Sequence, residues 1–292
     1  MTERSLLLVH AHPDDESIGT GATMARYAAQ GVRVTLVTCT LGEEGEIVVE
    51  DLAHLAAGKE DRLGAHRVSE LTAACQALGV PDHRLLGGAG RFRDSGMMGE
   101  PTNDKPGCFW QADLEVAVGE LVAVIREVRP QVVVSYDDNG GYGHPDHIQA
   151  HRVTVAAFDA AGAADRFPDA GEPWQPSKLY FTAVPMSVLR RGFEFMKAAG
   201  SSFFEGIDSP EGLPFGTPDE IVTTRIDSQA YVERKMAAMR AHRSQIAADS
   251  VFFSLPEEMT ADSWGVEYFI LARGALGAGR DEEGKESDLF AT

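Results

Sequence analysis

Two short stretches of the chain concentrate side chains able to bind a metal or move a proton. The first is His10-Ala11-His12-Pro13-Asp14-Asp15-Glu16. The second is Tyr136-Asp137-Asp138-Asn139-Gly140-Gly141-Tyr142-Gly143-His144-Pro145-Asp146-His147. Each follows directly on an apolar run, Leu6 to Val9 in one case and Gln131 to Tyr136 in the other. A histidine by itself at such a place reads as a hydrogen-bonding or surface residue. Two of them, with carboxylates, at the ends of two runs read differently. Two imidazoles and a carboxylate, with one position left to water, make up the donor set of a hydrolytic zinc site. An ion held that way lowers the pKa of water to about 7 and polarises a carbonyl. A competing donor pair is His147 with His151 on one helix face. No HExxH motif surrounds it, since Ile148 and Gln149 follow His147, so it ranks below His12 with His147. Gly19, Gly21 and Gly42 do not form a GxGxxG phosphate loop, so a dinucleotide-binding reading lacks its main support.

The elements that would position these stretches alternate. Leu6 to Val9 reads as a buried parallel strand. A helix is expected over Ser17 to Gln30 with Gly31 as its stop, then a β-branched strand over Val32 to Thr38. A helix over about Arg62 to Leu78 is closed by Gly79, and Leu85-Leu86 reads as a short strand. An amphipathic helix over Leu114 to Val128 ends before Pro130, Gln131 to Tyr136 is a strand, and Pro145 to Ala161 is a helix with proline at its first position. This alternation predicts an α/β fold, a Rossmann-like, mostly parallel sheet flanked by helices, with a smaller mixed C-terminal part. Ligands in such sheets gather beyond the carboxyl ends of strands, where both stretches fall. The expected organisation is a catalytic core over 1–165 and a C-terminal α/β region over 166–292 that completes the substrate pocket. In the latter, Ala161 to Ser177 is a connector, Leu179 to Val184 and Val266 to Ala272 are strands, and Ser228 to Ile246 is a helix. Ser201 to Thr217 is loop, and a flexible acidic tail begins near 274.

The chain has 292 residues, 43% of them hydrophobic, enough for a sizeable core. Its 26 Lys and Arg against 45 Asp and Glu leave a net charge of −19. Such a surface repels phosphate backbones and anionic lipid, which argues against nucleic-acid and membrane partners and for a neutral or cationic small molecule. Acidity also simply aids solubility. Three widely spaced cysteines without a CxxC argue against a disulfide framework or a Cys-rich zinc knuckle, and Cys39 within an apolar run reads as a buried thiol. The N-terminal apolar run is too short for a signal sequence and no stretch is long enough to span a bilayer, so a cytoplasmic location is expected. Oligomeric state is not written in these features.

The paired motifs His12-Pro13-Asp14-Asp15-Glu16 and His144-Pro145-Asp146-His147 resemble the LmbE/PIG-L family of zinc de-N-acetylases. The likeness extends over most of residues 6 to 160 and includes Thr40-Leu41-Gly42-Glu43-Glu44-Gly45-Glu46, the loop Gly87 to Met97, and Asn139 to His147. It thins over residues 99–110 and 187–219. Within the family, the Arg93-Asp94-Ser95-Gly96-Met97 loop and Gly143 before His144 resemble the branch that deacetylates N-acetylglucosaminyl-inositol in mycothiol biosynthesis. The resemblance implies that His12, Asp15 and His147 hold one Zn²⁺ per chain, with Fe²⁺ also suited to the donors. It makes Asp14 the general base and His144 the group that stabilises the oxyanion or protonates the leaving amine. Asp146 would orient His144, Tyr142 would donate to the oxyanion, and Arg67 and Asp94 would bind sugar hydroxyls. Asp146 also reads as a helix N-terminal charge, and Glu16 as a supporting or helix-start carboxylate. The alternatives are a mycothiol S-conjugate amidase, a de-N-acetylase of another amino sugar, or a non-catalytic sugar- or metal-binding module. The free carboxylate of Asp14 beside a full ligand set argues against the module.

Overall fold

The computed structural model describes residues 3–198, 207–253 and 257–292. Strand β1 (Ser5–His10) is followed by helix α1 (Asp15–Ala29), β2 (Arg33–Thr38), α2 (Leu63–Leu78), β3 (Asp82–Leu85), α3 (Leu114–Val128), β4 (Val132–Ser135) and α4 (Pro145–Ala161). The C-terminal part adds β5 (Lys178–Ala183), α5 (Met186–Ala198), β6 (Thr224–Asp227), α6 (Val232–Ala241), α7 (Glu257–Trp264) and β7 (Val266–Arg273). One seven-stranded sheet has the order β3-β2-β1-β4-β5-β7-β6. The pairings β3–β2–β1–β4–β5 are parallel, while β7 runs antiparallel to both β5 and β6.

Every residue of β1 is buried. Because side chains alternate across a strand, Leu7 and Val9 pack with α3 and α4 through Val118, Leu121, Val122, Val153 and Ala157. Leu6 and Leu8 face the other way, into a layer with Met24 and Tyr27 of α1, Leu71 and Leu78 of α2, and Ala238 of α6. Residues buried on both faces in this way are the signature of a central parallel strand. Helix α3 begins where the Asp113 side chain accepts from the Glu115 and Val116 amides. Helix α2 ends at Gly79, whose φ of 77° takes the left-handed cap.

The sheet does not break near residue 165, since β5, β7 and β6 extend the strands before it. Arg126, buried at the end of α3, fastens the connector by donating to the carbonyls of Ala161, Ala163, Arg166, Phe167 and Gly171. The expected frayed tail is instead packed. Glu286 is buried, where it accepts from Lys178 Nζ at 2.7 Å and the Tyr180 hydroxyl at 2.6 Å, and Leu289 is fully buried beside Tyr27. The helix expected over Ser228 to Ile246 stops at Ala241, because the chain turns at His242 and carries that side chain inward. Of the loop expected over Ser201 to Thr217, residues 201–206 lie outside the described residues. Among the described residues, no helix is long and apolar enough to cross a membrane.

The placement of the site follows from the strand order. The chain leaves β1 toward β2 on one side, and β4 lies against β1 on the other. The connections after β1 and β4 therefore diverge, opening a crevice at the carboxyl ends of those two strands.

Candidate active site

The loop after β1 is under backbone strain. Asp14 has φ 128° and ψ −31°, a conformation rare for any residue with a side chain and costing on the order of 1–3 kcal/mol. It persists because the surroundings fix it. The Asp15 carboxylate accepts the His12 amide at 2.8 Å, the Asp14 carbonyl caps α1 through the Ser17 and Ile18 amides, and Glu16 Oε2 accepts the Asp14 amide at 2.9 Å. Arg67, buried in α2, donates to Asp14 Oδ2 at 3.1 Å and to the carbonyls of Pro13 and Gly42. Gly42, at φ 67°, is where a Cβ would collide with that guanidinium. Arg67, expected on sugar hydroxyls, braces Asp14 through Nη2, while its buried Nε has no partner among the described residues. His10, in the same motif, is structural: its ring nitrogens meet the Tyr136 hydroxyl at 3.1 Å and Thr20 Oγ1 at 2.9 Å.

The loop after β4 is shaped by glycine. Gly140, Gly141 and Gly143 all have positive φ, and a Cβ on Gly140 would lie 2.5 Å from that of His147. The close approach lets the Gly140 carbonyl meet His147 Nδ1 at 3.1 Å. His144 caps α4, its Nδ1 accepting the Asp146 amide at 3.1 Å. A neutral His144 ring therefore carries its proton on Nε2. Tyr142, 40% exposed, stands edge-on to the His147 ring with centroids 4.9 Å apart.

His12, Asp15 and His147 converge. His12 Nδ1 lies 3.3 Å from His147 Nε2 and 3.5 Å from Asp15 Oδ2, and His147 Nε2 lies 3.4 Å from Asp15 Oδ1. Ligands about 2.0–2.2 Å from a tetrahedral ion are separated by roughly 3.3–3.6 Å, and each pairwise contact falls in that range, with His12 and His147 facing different oxygens of the Asp15 carboxylate. The far side of each ring agrees. His12 Nε2 meets Asp146 Oδ2 at 3.2 Å and His147 Nδ1 meets a carbonyl, so in the neutral rings a metal requires, the two facing nitrogens carry the lone pairs, the usual outer support of a metal-binding imidazole. Burial works against a charged His12, yet Asp94, Asp146 and Asp15 push its pKa well above its ordinary value. Carboxylates crowded around one imidazole make a negative pocket that suits a cation. Asp14 sits in the same field: burial raises its carboxyl to about 6 against the pull of Arg67.

Two other groupings, taken with one donor atom per residue, bring those atoms within 4.8 Å of one another, a closeness that His12 with Asp15 and His147 does not reach: His12 with His144 and His147, and His12 with Asp94 and Asp146. The second lies at the outer edge of the His12 ring, where the carboxylates are already engaged. Asp146 accepts the Ser95 amide at 2.9 Å and the Ser95 hydroxyl, and Asp94 accepts the Gly96 and Glu44 amides at 2.8 and 3.1 Å. Asp146 was expected to orient His144. Its carboxylate orients His12 instead, and only its backbone amide touches His144. The competing pair His147 with His151 does not form, because His151 Nδ1 faces the Tyr136 carbonyl at 2.9 Å. Sequence reasoning missed Ser95, which appears there only as part of a loop, and His242, whose Nε2 reaches Glu16 Oε1 at 2.7 Å.

A parallel α/β sheet with a two-histidine, one-aspartate pocket at its topological switch point, and an unliganded carboxylate beside it, is the framework of a metal-dependent amide hydrolase. The chain belongs to the PIG-L family, GlcNAc-PI de-N-acetylases, whose model matches residues 7–158. Over its whole length it is similar to proteins named 1D-myo-inositol 2-acetamido-2-deoxy-alpha-D-glucopyranoside deacetylase. The protein of that name from Acidothermus cellulolyticus is 60% identical over 99% of this chain and 94% of its own. That from Geodermatophilus obscurus is 57% identical over 99% and 97%. Among solved structures, the N,N'-diacetylchitobiose deacetylase from Pyrococcus horikoshii shares the fold at a TM-score of 0.63 and 19% identity, covering 94% of this chain and 85% of that one.

Proposed function

We propose that the protein hydrolyses the acetamide of 1D-myo-inositol 2-acetamido-2-deoxy-alpha-D-glucopyranoside, releasing acetate and the free amine, a step of mycothiol biosynthesis. The substrate reading rests on the full-length similarity to deacetylases of that name. The chemistry rests on one observation, the convergence of His12 Nδ1, Asp15 and His147 Nε2 with Asp14 fixed beside them. These three residues would hold one divalent ion, Zn²⁺ in this reading, with Fe²⁺ compatible with the same donors. Bound there, such an ion would supply Lewis acidity toward the acetamide carbonyl and toward water. Asp14, not among its ligands, accepts the proton of the attacking water and delivers it to the departing nitrogen. His144 donates from Nε2 to the carbonyl oxygen as charge gathers there, and Tyr142 adds a second donor from the rim. Asp146 fixes the His12 tautomer. Arg67 and Asp94 flank the triad on its two sides, Arg67 against Asp14 and Asp94 Oδ1 at 3.6 Å from His12 Nε2, so that a sugar hydroxyl meeting either would sit beside the reacting amide. The region beyond residue 165 completes the pocket by bracing the β1 loop. A cytoplasmic location accords with the three cysteines, all free and buried.

The test is a side-by-side assay of metal-loaded protein on the inositol glucosaminide, a mycothiol S-conjugate and N-acetylglucosamine. The highest kcat/KM is expected on the first. Both candidates share the glucosamine–inositol unit, so the acyl pocket must separate them. Faster turnover of the conjugate would make the protein an amidase, and equal rates on N-acetylglucosamine would show that inositol is not recognised.

A further inference from the structure

Arg67 holds the carboxylate end of Asp14, and a second chain of contacts holds its amide end. Glu16 is fully buried and uses one oxygen for the Asp14 amide. Its other oxygen accepts from Ser17 Oγ at 2.6 Å and from His242 Nε2 at 2.7 Å. A carboxylate only accepts, so the His242 proton lies on Nε2. The His242 ring is itself fully buried, and its Nδ1 has no partner. An imidazole whose remaining nitrogen is buried without a partner is poorly suited to simple packing, where an apolar side chain of the same size would leave nothing unsatisfied.

The turn that carries His242 is anchored on both sides. It leaves α6 at φ −82° and ψ 53°, and α6 packs against α1 and α2. Two residues on, the Ser244 amide and hydroxyl donate to Glu70 at 2.8 and 2.6 Å. Glu70 lies on α2, the helix that bears Arg67, and the Val48 amide donates to the Ser244 carbonyl at 3.0 Å. The ring is thus held in place from outside the β1 loop, and among the described residues its hydrogen bond toward that loop goes to Glu16.

We infer that His242 is a positioning residue for the reaction: through Glu16 it keeps the Asp14 backbone in its strained conformation and so aims the Asp14 carboxylate. This rests on the reading of Asp14 as the base. Without His242, Glu16 Oε1 keeps only Ser17, the Glu16 carboxylate is free to turn, and the Asp14 amide loses its acceptor. Asp14 then relaxes toward an ordinary φ. The His12 amide stays on the Asp15 carboxylate, His12 Nε2 on Asp146 and His147 Nδ1 on the Gly140 carbonyl, so metal binding is expected to stay.

The test compares His242→Ala, His242→Gln and His242→Asn in the full-length, metal-loaded protein. Gln places an amide nitrogen where Nε2 was, and Asn places it where Nδ1 was. The alanine and asparagine variants are expected to lose about 10- to 100-fold in kcat, with KM within about twofold and metal stoichiometry unchanged. The glutamine variant is expected to recover most of the rate. If His242→Ala does not fold, the Gln and Asn variants carry the comparison alone. Equal kcat in those two, or a loss that falls on KM instead of kcat, overturns the proposal. Crystal structures of the same variants give a readout without substrate: Asp14 leaves φ near 128° in the Ala or Asn variant and keeps it in the Gln variant. An Asp14 unmoved in all of them also overturns it. A wild-type protein that releases no acetate would sink the proposed function while leaving this crystallographic arm decisive.

Discussion

The two loops that build the site reach their shapes by opposite means. The loop after β1 is strained at a residue with a side chain and is held by partners far away in sequence, Arg67 on α2 and, through Glu16, His242 beyond α6. The loop after β4 has three glycines at positive φ, so its turns cost little, and it carries the half-exposed ring of Tyr142. The first arrangement suits a proton acceptor, whose misplacement by even an ångström is costly to the rate. The second suits a group that meets a substrate as it enters. The first loop is shaped by tertiary contacts, the second by its own glycines and short-range hydrogen bonds.

The largest expected effect falls on the first loop. Asp14→Asn keeps the size of the side chain but removes the proposed proton acceptor, and should lower kcat by about 10²–10⁴-fold while the bound metal, measured by elemental analysis, stays at the wild-type ratio. A metal-replete variant at near-normal rate would place the base elsewhere and remove the reason for the clamp. On the second loop, Tyr142→Phe should cost about tenfold in kcat, below the roughly 10²–10³ of a preorganised oxyanion donor, because the donor must be brought in with its loop. If the two variants lost rate equally, the contrast between the loops would carry no functional meaning.

The same contrast governs what could be read in advance. The limits of α3 and α4 match those expected from sequence, because each has a local start signal, Asp113 as a cap in one and Pro145 at the first position in the other. The motif residues were legible for a similar reason: short stretches at strand ends bring His12, Asp15 and His147 to one crevice once the sheet order is set. Helix α5 went unread although Leu189, Phe193 and Met196 recur at helical spacing on one side of it, since Met186, Val188 and Phe195 blur that apolar side and Gly192 interrupts the run. Strand β6 is four residues long and only alternately buried, too short for a pattern to stand out. What no local signal contained was partnership. Asp146 pairs with His12 and with Ser95, Arg67 with Asp14, and His242 with Glu16 across 226 positions. Each of these polar side chains reads as an ordinary charge or turn residue until the fold supplies its neighbour. The tail is a further case, its glycines and charges suggesting fraying while Glu286 and Leu289 lock it to the sheet and α1.

In the proposed reaction a single cation, seated between the two loops, joins Asp14 on the first to His144 and Tyr142 on the second. Anomalous diffraction from crystals loaded with Zn²⁺ tests it most directly. One peak is expected about 2.0–2.2 Å from His12 Nδ1, an Asp15 oxygen and His147 Nε2, with Asp14 outside bonding distance. A peak on the opposite edge of the His12 ring, between Nε2, Asp94 and Asp146, or one bonded to Asp14 itself, would contradict the account.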